Sequence, residues 1–528
     1  MSREASPGSS SWLLTQPFGT LSGLIRAHAA EQPTHPALIQ DDRQLDYAAL
    51  DQWMDRIAAR LQHEGLGRGT TIAICAAPSL EYAAVFLGAL RAGLAVAPLA
   101  PSSTPESLAA MASDADARLF FADAGVVALL APVRSTIAAP FIALDNGSTS
   151  ARGFAEWLGA EPVQATQAQV EPSDPFNIIY SSGTTGAPKG IVQSHAMRWV
   201  HVQRAEVYEY GPQATTLLAT PLYSNTTLVS FAPSMAYGGT VVLMPKFDVR
   251  GYLELAQRHR VTHTMLVPVQ YQRLLAAPEF GRYDLSSFRV KMCTSAPFAA
   301  ALKADILARW PGGLVEVYGM TEGGGATVLA AHEFPHKLHT VGKPAPGHDI
   351  RLIDDAGREV GPGEVGEVVG RSPGMMSGYH KKPDQTAQAE WFDGDGRRFI
   401  RTGDIGRFDE DGFLTLLDRK KDMIISGGFN IYPSDLESVL RGHIAVAEVA
   451  VVGVPSARWG ETPVAFVVTV PGTTVTPAAL LEWANGRLGK IQRLACVEVV
   501  PHLPRSGIGK VLKRELREEF LTRSGPVP

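Results

Sequence analysis

Cysteine is scarce in this 528-residue chain: only Cys75, Cys293 and Cys496 occur. An odd count at wide spacing excludes a disulfide framework and a four-cysteine zinc site, and suits a reducing compartment. Each cysteine reads as a small buried hydrophobe rather than a nucleophile. A basic excess is also missing, with 48 Lys and Arg against 53 Asp and Glu and a formal net charge of −5. Nothing therefore favours neutralising nucleic-acid phosphates, and no nucleic-acid partner is expected. Long apolar runs are absent too. The most apolar stretch, Ala83 to Pro101, is broken by Arg91 and Pro98 and falls short of the ~20 residues that cross a bilayer. Met1 to Ser11 is polar and Ser/Gly-rich, so neither a secretory signal nor a transmembrane segment is expected. The expectation is a soluble, cytoplasmic, multidomain protein.

What is present is ordinary globular composition, 45% hydrophobic and 19% charged. At roughly 150 residues per domain, three or four modules fit the length. Thr71–Cys75 reads as a strand, Ser79 opens a helix with Tyr82, Val85, Phe86 and Leu90 on one face, Gly93 ends it, and Ala95–Pro98 reads as a second strand. Such β-α-β units predict a parallel sheet covered by helices. The same reading gives a helix at Tyr252–Arg260, a strand at His263–Pro268, a helix at Ala299–Arg309 and a strand at Val315–Tyr318. The first four hundred residues are read as α/β.

The character changes near residue 340. Short strands are punctuated by Asp-Ala-Gly (355–357), Gly-Pro-Gly (361–363) and Asp-Glu-Asp-Gly (409–412), the pattern of hairpins in a β-rich subdomain over about 340–417. The charged stretch 418–422 then marks a boundary. After it a compact α+β module is expected, with a capping box of Ser434 and Glu437, strands at Val446–Val454 and Val464–Val470, and a helix capped by Thr476 with Pro477 in its first turn. The domains are thus read as 1–420 and 421–528.

The most informative segment is Tyr180-Ser181-Ser182-Gly183-Thr184-Thr185-Gly186-Ala187-Pro188-Lys189-Gly190, between apolar runs at Phe176–Tyr180 and Ile191–Val192. Its three glycines let backbone N–H groups approach an anion, its hydroxyls add donors, and Lys189 adds a positive charge. That suits a polyphosphate. It is not a Walker A loop, because Pro188 stands where that pattern needs its second glycine.

This segment resembles the phosphate loop of the adenylate-forming superfamily, which includes acyl-CoA synthetases, adenylation domains of peptide synthetases and luciferases. Four further signatures occur in the family's order. Val317-Tyr318-Gly319-Met320-Thr321-Glu322, preceded by Ser295-Ala296-Pro297, resembles the second core motif. Arg401-Thr402-Gly403-Asp404 resembles the ribose-binding motif. Asp418-Arg419-Lys420-Lys421-Asp422, with Ser426-Gly427-Gly428-Phe429-Asn430 after it, resembles the hinge and its glycine loop. Pro504 to Lys510 resembles the C-terminal lysine motif.

The resemblance implies an AMP-forming acyl-CoA synthetase. A carboxylate attacks the α-phosphate of ATP, pyrophosphate leaves, and coenzyme A takes the acyl group from the adenylate. It further implies that Ser181, Ser182, Gly183, Thr184, Thr185, Gly186 and Lys189 hold the phosphates, that Thr321 meets the α-phosphate, and that Glu322 holds Mg²⁺. Tyr318, Gly319 and Met320, with Ser295, Ala296 and Pro297, would face adenine, and Asp404 would accept the ribose hydroxyls. Arg419 would reach the nucleotide from the hinge side. Lys510 would bridge substrate carboxylate and α-phosphate; without the upstream motifs it reads instead as a solvated lysine in a basic tail. Lys421 would be the hinge of a small mobile C-terminal domain, and Gly427 and Gly428 would meet the pantetheine of coenzyme A, as would Trp459, which reads equally as an exposed helix-edge tryptophan packed on its own module.

Tyr223, Ser224, Asn225, Gly323 and Gly324 are assigned to the acyl pocket. Ser224 stands where many relatives place a histidine, and the triple glycine 323–325 leaves room for an aryl or medium-to-long apolar acid. His195 is read as a structural, hydrogen-bonding histidine. Three rivals are carried: loading of a separate carrier protein, a nucleotide-binding regulator without catalysis, and, for the glycine segment alone, a flexible linker. A small carboxylic acid is the expected partner, and a homodimer is admitted without any residue that argues for it.

Overall fold

The structure is a computed structural model that describes residues 6–145, 151–159, 165–181, 189–426, 429–489, 492–506, 510–525 and 527. Its internal contacts form two units. Unit 1 comprises Met1–Leu338, Pro344–Asp349 and Arg371–Ile400; unit 2 comprises His339–Lys343, Ile350–Gly370 and Arg401–Pro528.

Unit 1 is α/β. One of its sheets runs, in spatial order, Gly378–Tyr379, Lys189–Ser194, Pro175–Ser181, Ala95–Pro98, Thr71–Cys75, Ala117–Ala122, Phe141–Ala143 and Arg152–Gly153. The β-α-β unit read at Thr71 forms as expected. Thr71–Cys75 is buried throughout, the Ser79 hydroxyl accepts the Tyr82 N–H at 3.0 Å, and helix Leu80–Arg91 follows. Gly93 turns the chain at φ +79° into Ala95–Pro98, which lies parallel to the first strand. Arg91, the charge that interrupts the apolar run, is buried and held by Asp51 at 2.5 Å and Asp55 at 3.1 Å, with its Nε on Ser22 at 2.9 Å.

The second sheet of unit 1 runs Ala326–Ala330, Gly313–Gly319, Val290–Cys293, His263–Leu266, Thr215–Leu218, Thr240–Leu243, Pro36–Gln40 and Arg43–Asp46. The five strands from Gly313–Gly319 to Thr240–Leu243 are mutually parallel. Two boundaries differ from the sequence reading. The helix read from Tyr252 begins at Val249, because the Asp248 carboxylate caps Gly251 N–H at 2.7 Å. The strand read to Pro268 stops at Leu266, because Pro268 opens helix Pro268–Leu275. Buried Lys303, on helix Ala300–Arg309, pairs with buried Glu316 on Gly313–Gly319 and ties that helix to the strand leading into Tyr318. Burial pushes the Glu316 carboxyl up to about 7, with Lys303 opposing.

Unit 2 contains the hairpin of residues 404–408 with Leu414–Arg419, turned at Asp409 to Gly412. Its second sheet joins Phe429–Ile431, Ile424–Ser426, Gly460–Thr469, Val446–Ser456 and Cys496–Val499. Leu436, Leu440, Leu480 and Ala484 from helices Pro433–Arg441 and Pro477–Asn485 cover one face; Leu516 and Phe520 of Lys513–Ser524 cover the other. Thr476 caps its helix as expected. The capping box expected of Ser434 and Glu437 does not form. Pro433 already occupies the first helical position behind Tyr432, so the Ser434 hydroxyl donates instead to the Leu417 carbonyl. Glu437 accepts from Val451 N–H at 2.9 Å and pairs with Lys513 at 2.8 Å. Among the described residues no helix is long and apolar enough to cross a membrane.

Candidate active site

In unit 1 the glycine-hydroxyl segment begins and ends on paired strands. Pro175–Ser181 and Lys189–Ser194 are antiparallel, with Ser181 opposite Lys189 and Tyr180 opposite Gly190. Gly190 is required there: a Cβ would sit 2.7 Å from Ile178 Cγ2 and 3.1 Å from the Tyr180 ring. Ser182, Gly183, Thr184, Thr185 and Gly186, and the side chain of Ser181, lie outside the described residues.

The other unit 1 motifs stand at the carboxyl ends of parallel strands, where open α/β sheets bind ligands. Ser295, Ala296 and Pro297 follow Val290–Cys293. Tyr318 and Gly319 end the neighbouring strand and lead to Met320, Thr321 and Glu322. Tyr223, Ser224 and Asn225 follow Thr215–Leu218. Ser295 holds φ +80°, a left-handed conformation that a non-glycine residue adopts at a cost of roughly 1–3 kcal/mol. Its hydroxyl hydrogen-bonds Thr226 Oγ1 at 2.6 Å.

Glu322 and Lys189 meet at a residue the sequence reading missed. The Tyr379 hydroxyl donates to Glu322 Oε1 at 2.9 Å, and Lys189 Nζ stands 5.7 Å from the centre of the same ring. Burial, then the Glu322 charge, push the phenol well above its ordinary value. Tyr379 pairs opposite Ile191 beside the phosphate segment. Only that pairing marks it; no local pattern in the sequence does.

The acyl-pocket candidates are locally engaged. Ser224 is buried and caps helix Asn225–Ala236. Burial raises the Tyr223 phenol, which also bonds Ser102. Asn225 Oδ1 accepts from Arg198 Nη2 at 2.7 Å, and Gln193 Nε2 donates to the Thr321 carbonyl at 2.7 Å. Gly323 has φ +72°, and a Cβ there would lie 2.0 Å from the Gly374 carbonyl oxygen. Backbone packing thus accounts for this glycine, and Gly324 beside it is buried. Arg198, Gln193, Thr226 and Tyr379 escaped the sequence reading because each acts through a partner distant in the chain.

His195 is buried. It packs edge-on against Phe176 at 5.1 Å. The expected hydrogen bond is not made by its Nε2, which has no partner among the described residues. Burial, with Asp174 opposing, pushes the ring down to about 4.

Unit 2 brings three motifs together. Asp404 lies opposite Arg419 across the hairpin, with Arg419 Nε 3.1 Å from Asp404 Oδ1. Lys510 lies within electrostatic range of both. Its ammonium is pushed down to about 8, chiefly by burial, with Arg419 and Lys421 adding to the shift and Asp404 and Asp422 opposing it. Lys510 is therefore not a fully solvated tail lysine. Lys420 is clamped by Asp355 at 2.8 Å and Glu367 at 3.2 Å, and Arg401 holds the same Glu367 at 2.7 Å. Lys421 follows at once, exposed along much of its length, its ammonium shifted downward chiefly by desolvation, with Arg419 and Arg514 adding and Asp422 and Asp404 opposing. Gly427 and Gly428 lie outside the described residues. Ile425, Phe429 and Trp459 are exposed, and Arg458 lies over the Trp459 ring at 4.7 Å.

No group of three or more His, Cys, Asp or Glu among the described residues could hold a metal ion. Glu322 spends one oxygen on Tyr379, and a single carboxylate fits Mg²⁺ when phosphate oxygens and water complete the shell.

Two family models match the chain: AMP-binding enzyme over residues 25–380, and AMP-binding enzyme C-terminal domain over 435–510. A fatty acid–[acyl-carrier-protein] ligase, ScoC, of Streptomyces coeruleorubidus is 32% identical, over 95% of this chain and 96% of its own. An indoleacetate–CoA ligase of Aromatoleum aromaticum is 33% identical, over 94% and 98%. The crystal structure of ATP-bound MatB from Rhodopseudomonas palustris superposes with a TM-score of 0.84 at 29% identity, covering 95% of this chain and 99% of that one.

Proposed function

The chain belongs to the AMP-binding enzyme family, and on that premise we propose that it joins a carboxylic acid to coenzyme A through an acyl-adenylate, releasing AMP and pyrophosphate. The observation that carries this reading is the convergence in unit 2 of Asp404, Arg419 and Lys510, three separate motifs gathered around one depressed ammonium. A binder without catalysis has little use for that ammonium.

No enzyme nucleophile is needed, so catalysis rests on position and charge. The segment from Ser181 to Lys189 holds the β- and γ-phosphates. Thr321 meets the α-phosphate, and Tyr318 through Met320, with Ser295 to Pro297, hold the adenine. Asp404 accepts the ribose hydroxyls, as its two oxygens allow, and Arg419 steadies it. Lys510 donates to the substrate carboxylate and the α-phosphate as charge builds between them. Mg²⁺, held by Glu322, neutralises phosphate charge when bound. Lys421 is the hinge on which residues 421–528 turn between half-reactions, bringing Gly427, Gly428 and Trp459 to pantetheine. A cytoplasmic setting is part of the proposal, supported by three cysteines that are all free.

Pyrophosphate release is the test. Release that depends on a carboxylic acid, followed by thioester formation with free coenzyme A, is the expected result. ATP binding without turnover would overturn it. Transfer only to a phosphopantetheinylated carrier protein would favour the carrier reading, which the half-exposed Trp459 beside exposed Ile425 and Phe429 also suits.

A further inference from the structure

Helix His195–Arg204 follows the phosphate-loop strand, and Arg198, His201 and Arg204 lie along it at three-residue spacing. Such residues share one face of a helix. Arg198 touches a residue assigned to the acyl group, and Arg204 reaches, through His348, the strand that begins two residues after Gly324. Arg198 holds Asn225, as described. Arg204 meets His348 Nε2, while His348 Nδ1 faces the Ala326 N–H at 2.6 Å. Ala326 lies directly opposite Gly319 in the antiparallel pair, one rung from the Tyr318–Thr321 motif.

This cluster is rich in donors and short of acceptors. A neutral imidazole offers one acceptor nitrogen, yet His348 faces a donor at each nitrogen, so one donor goes without. His201 Nδ1 is 3.4 Å from Arg198 Nη1 and adds no acceptor beyond that nitrogen. Among the described residues no carboxylate pairs with Arg198, His201, Arg204 or His348. Burial and the neighbouring cations push His201 down to about 3 and His348 down to about 4. Arg198 is satisfied by amide oxygens of Asn177, Gln193 and Asn225. Among the described residues the Arg204 guanidinium has only the contested ring nitrogen, and it is partly open to solvent.

A partly buried guanidinium without an acid, one strand rung from the adenylate motif, calls for an anion supplied by the ligand. Resting on the proposed activity, we infer that the acid taken by this site carries a second carboxylate at the end remote from the one activated, and that Arg204, with His348 beside it, receives that carboxylate. Arg204 then turns from His348 to the ligand, and His348 is left with the Ala326 N–H as its one donor. A planar guanidinium matches a carboxylate in two parallel hydrogen bonds. This replaces the wholly apolar acid suggested by the glycines at 323–325, since Gly323 is accounted for by its approach to Gly374.

The experiment compares terephthalate with monomethyl terephthalate, and adipate with monomethyl adipate, as acids for pyrophosphate release by the full chain. The diacid is expected to have the higher kcat/KM in at least one pair, by about 10-fold or more, the size of a hydrogen bond to a charged group. Arg204→Gln should collapse that ratio, and Arg204→Lys should keep part of it. Equal or better use of the esters in both pairs, or an unchanged ratio in Arg204→Gln, overturns the inference. If no acid releases pyrophosphate, the activity reading fails by itself. Calorimetric titration with terephthalate and adipate then decides this one: binding weakened about 10-fold or more by Arg204→Gln supports it, and absent or unaltered binding overturns it.

Discussion

The Tyr379 hydroxyl donates to Glu322 Oε1 at 2.9 Å across 57 residues of sequence, fixing the carboxylate assigned to Mg²⁺. Tyr379→Phe removes one charge-assisted hydrogen bond and leaves the ring beneath Lys189. Because Glu322 is only half-buried, the loss should fall at the low end of ~1.5–3 kcal/mol. The Mg²⁺ concentration giving half-maximal pyrophosphate release should rise about 10-fold. An unchanged Mg²⁺ curve would detach Tyr379 from the metal.

Lys510, pushed down to about 8, gives a pH prediction whose sign is fixed. In the proposed reaction its ammonium is the working form, so adenylation should fall as pH rises through about 8. Lys510→Arg keeps the charge to far higher pH and should move that falling limb upward, at a lower rate. Lys510→Ala should cripple adenylation yet spare thioester formation from supplied acyl-adenylate. For stability the folded state binds fewer protons than the unfolded one between about 8 and the ordinary lysine range. Lys510 therefore contributes stability that grows with pH across that window. Urea titrations of wild type and Lys510→Ala at pH 7 and 9.5 read this directly.

Arg91 is a buried cation serving two carboxylates in the core of unit 1. Arg91→Met leaves Asp51 and Asp55 to Arg26 alone, which is half-exposed. Breaking a buried pair costs roughly 3–5 kcal/mol, and these partly solvated acids place it at the lower end. A lowered urea midpoint with an unchanged Mg²⁺ dependence of the remaining activity is expected.

Gly323→Ala tests whether that glycine serves the pocket or the backbone. Its left-handed φ costs alanine roughly 1–3 kcal/mol, and the added carbon also meets the Gly374 carbonyl at 2.0 Å. Stability should fall together with activity towards acids of every size. A loss confined to large acids would return Gly323 to the acyl pocket.

Lys421→Pro should slow chiefly coenzyme A-dependent turnover, because fixing φ there restricts the hinge. Pyrophosphate release in a single turnover is the control. Equal slowing of both steps would count against rotation about this residue.

The elements that surround the motifs were legible where local chemistry decides. Ser79, Gly93, Thr476 and Pro477 act through neighbours within a few residues, so their helices and turns follow from spacing. Ser434 misled because its nearest acceptor, the Leu417 carbonyl, lies outside its own helix. Motif residues could be named from their order alone. Their supports could not: Tyr379, Thr226 and Arg198 matter through cross-strand or cross-sheet partners, and His348 through a backbone N–H 22 residues away. Such pairings exist only once the sheets are assembled.

The clamp on Lys420 sets how little slack the proposed swing has. Up to Lys420 the chain is bolted by Asp355 and Glu367, and from Ile424 it is already woven into the next sheet. Three residues remain to absorb the turn, and the N–H groups of Asp422 and Met423 are both tethered to the Arg419 carbonyl. A swing about these residues must also release Ser434, whose hydroxyl and N–H are held by the Leu417 carbonyl and the Asp418 carboxylate across residue 421, so several fastenings oppose it at once.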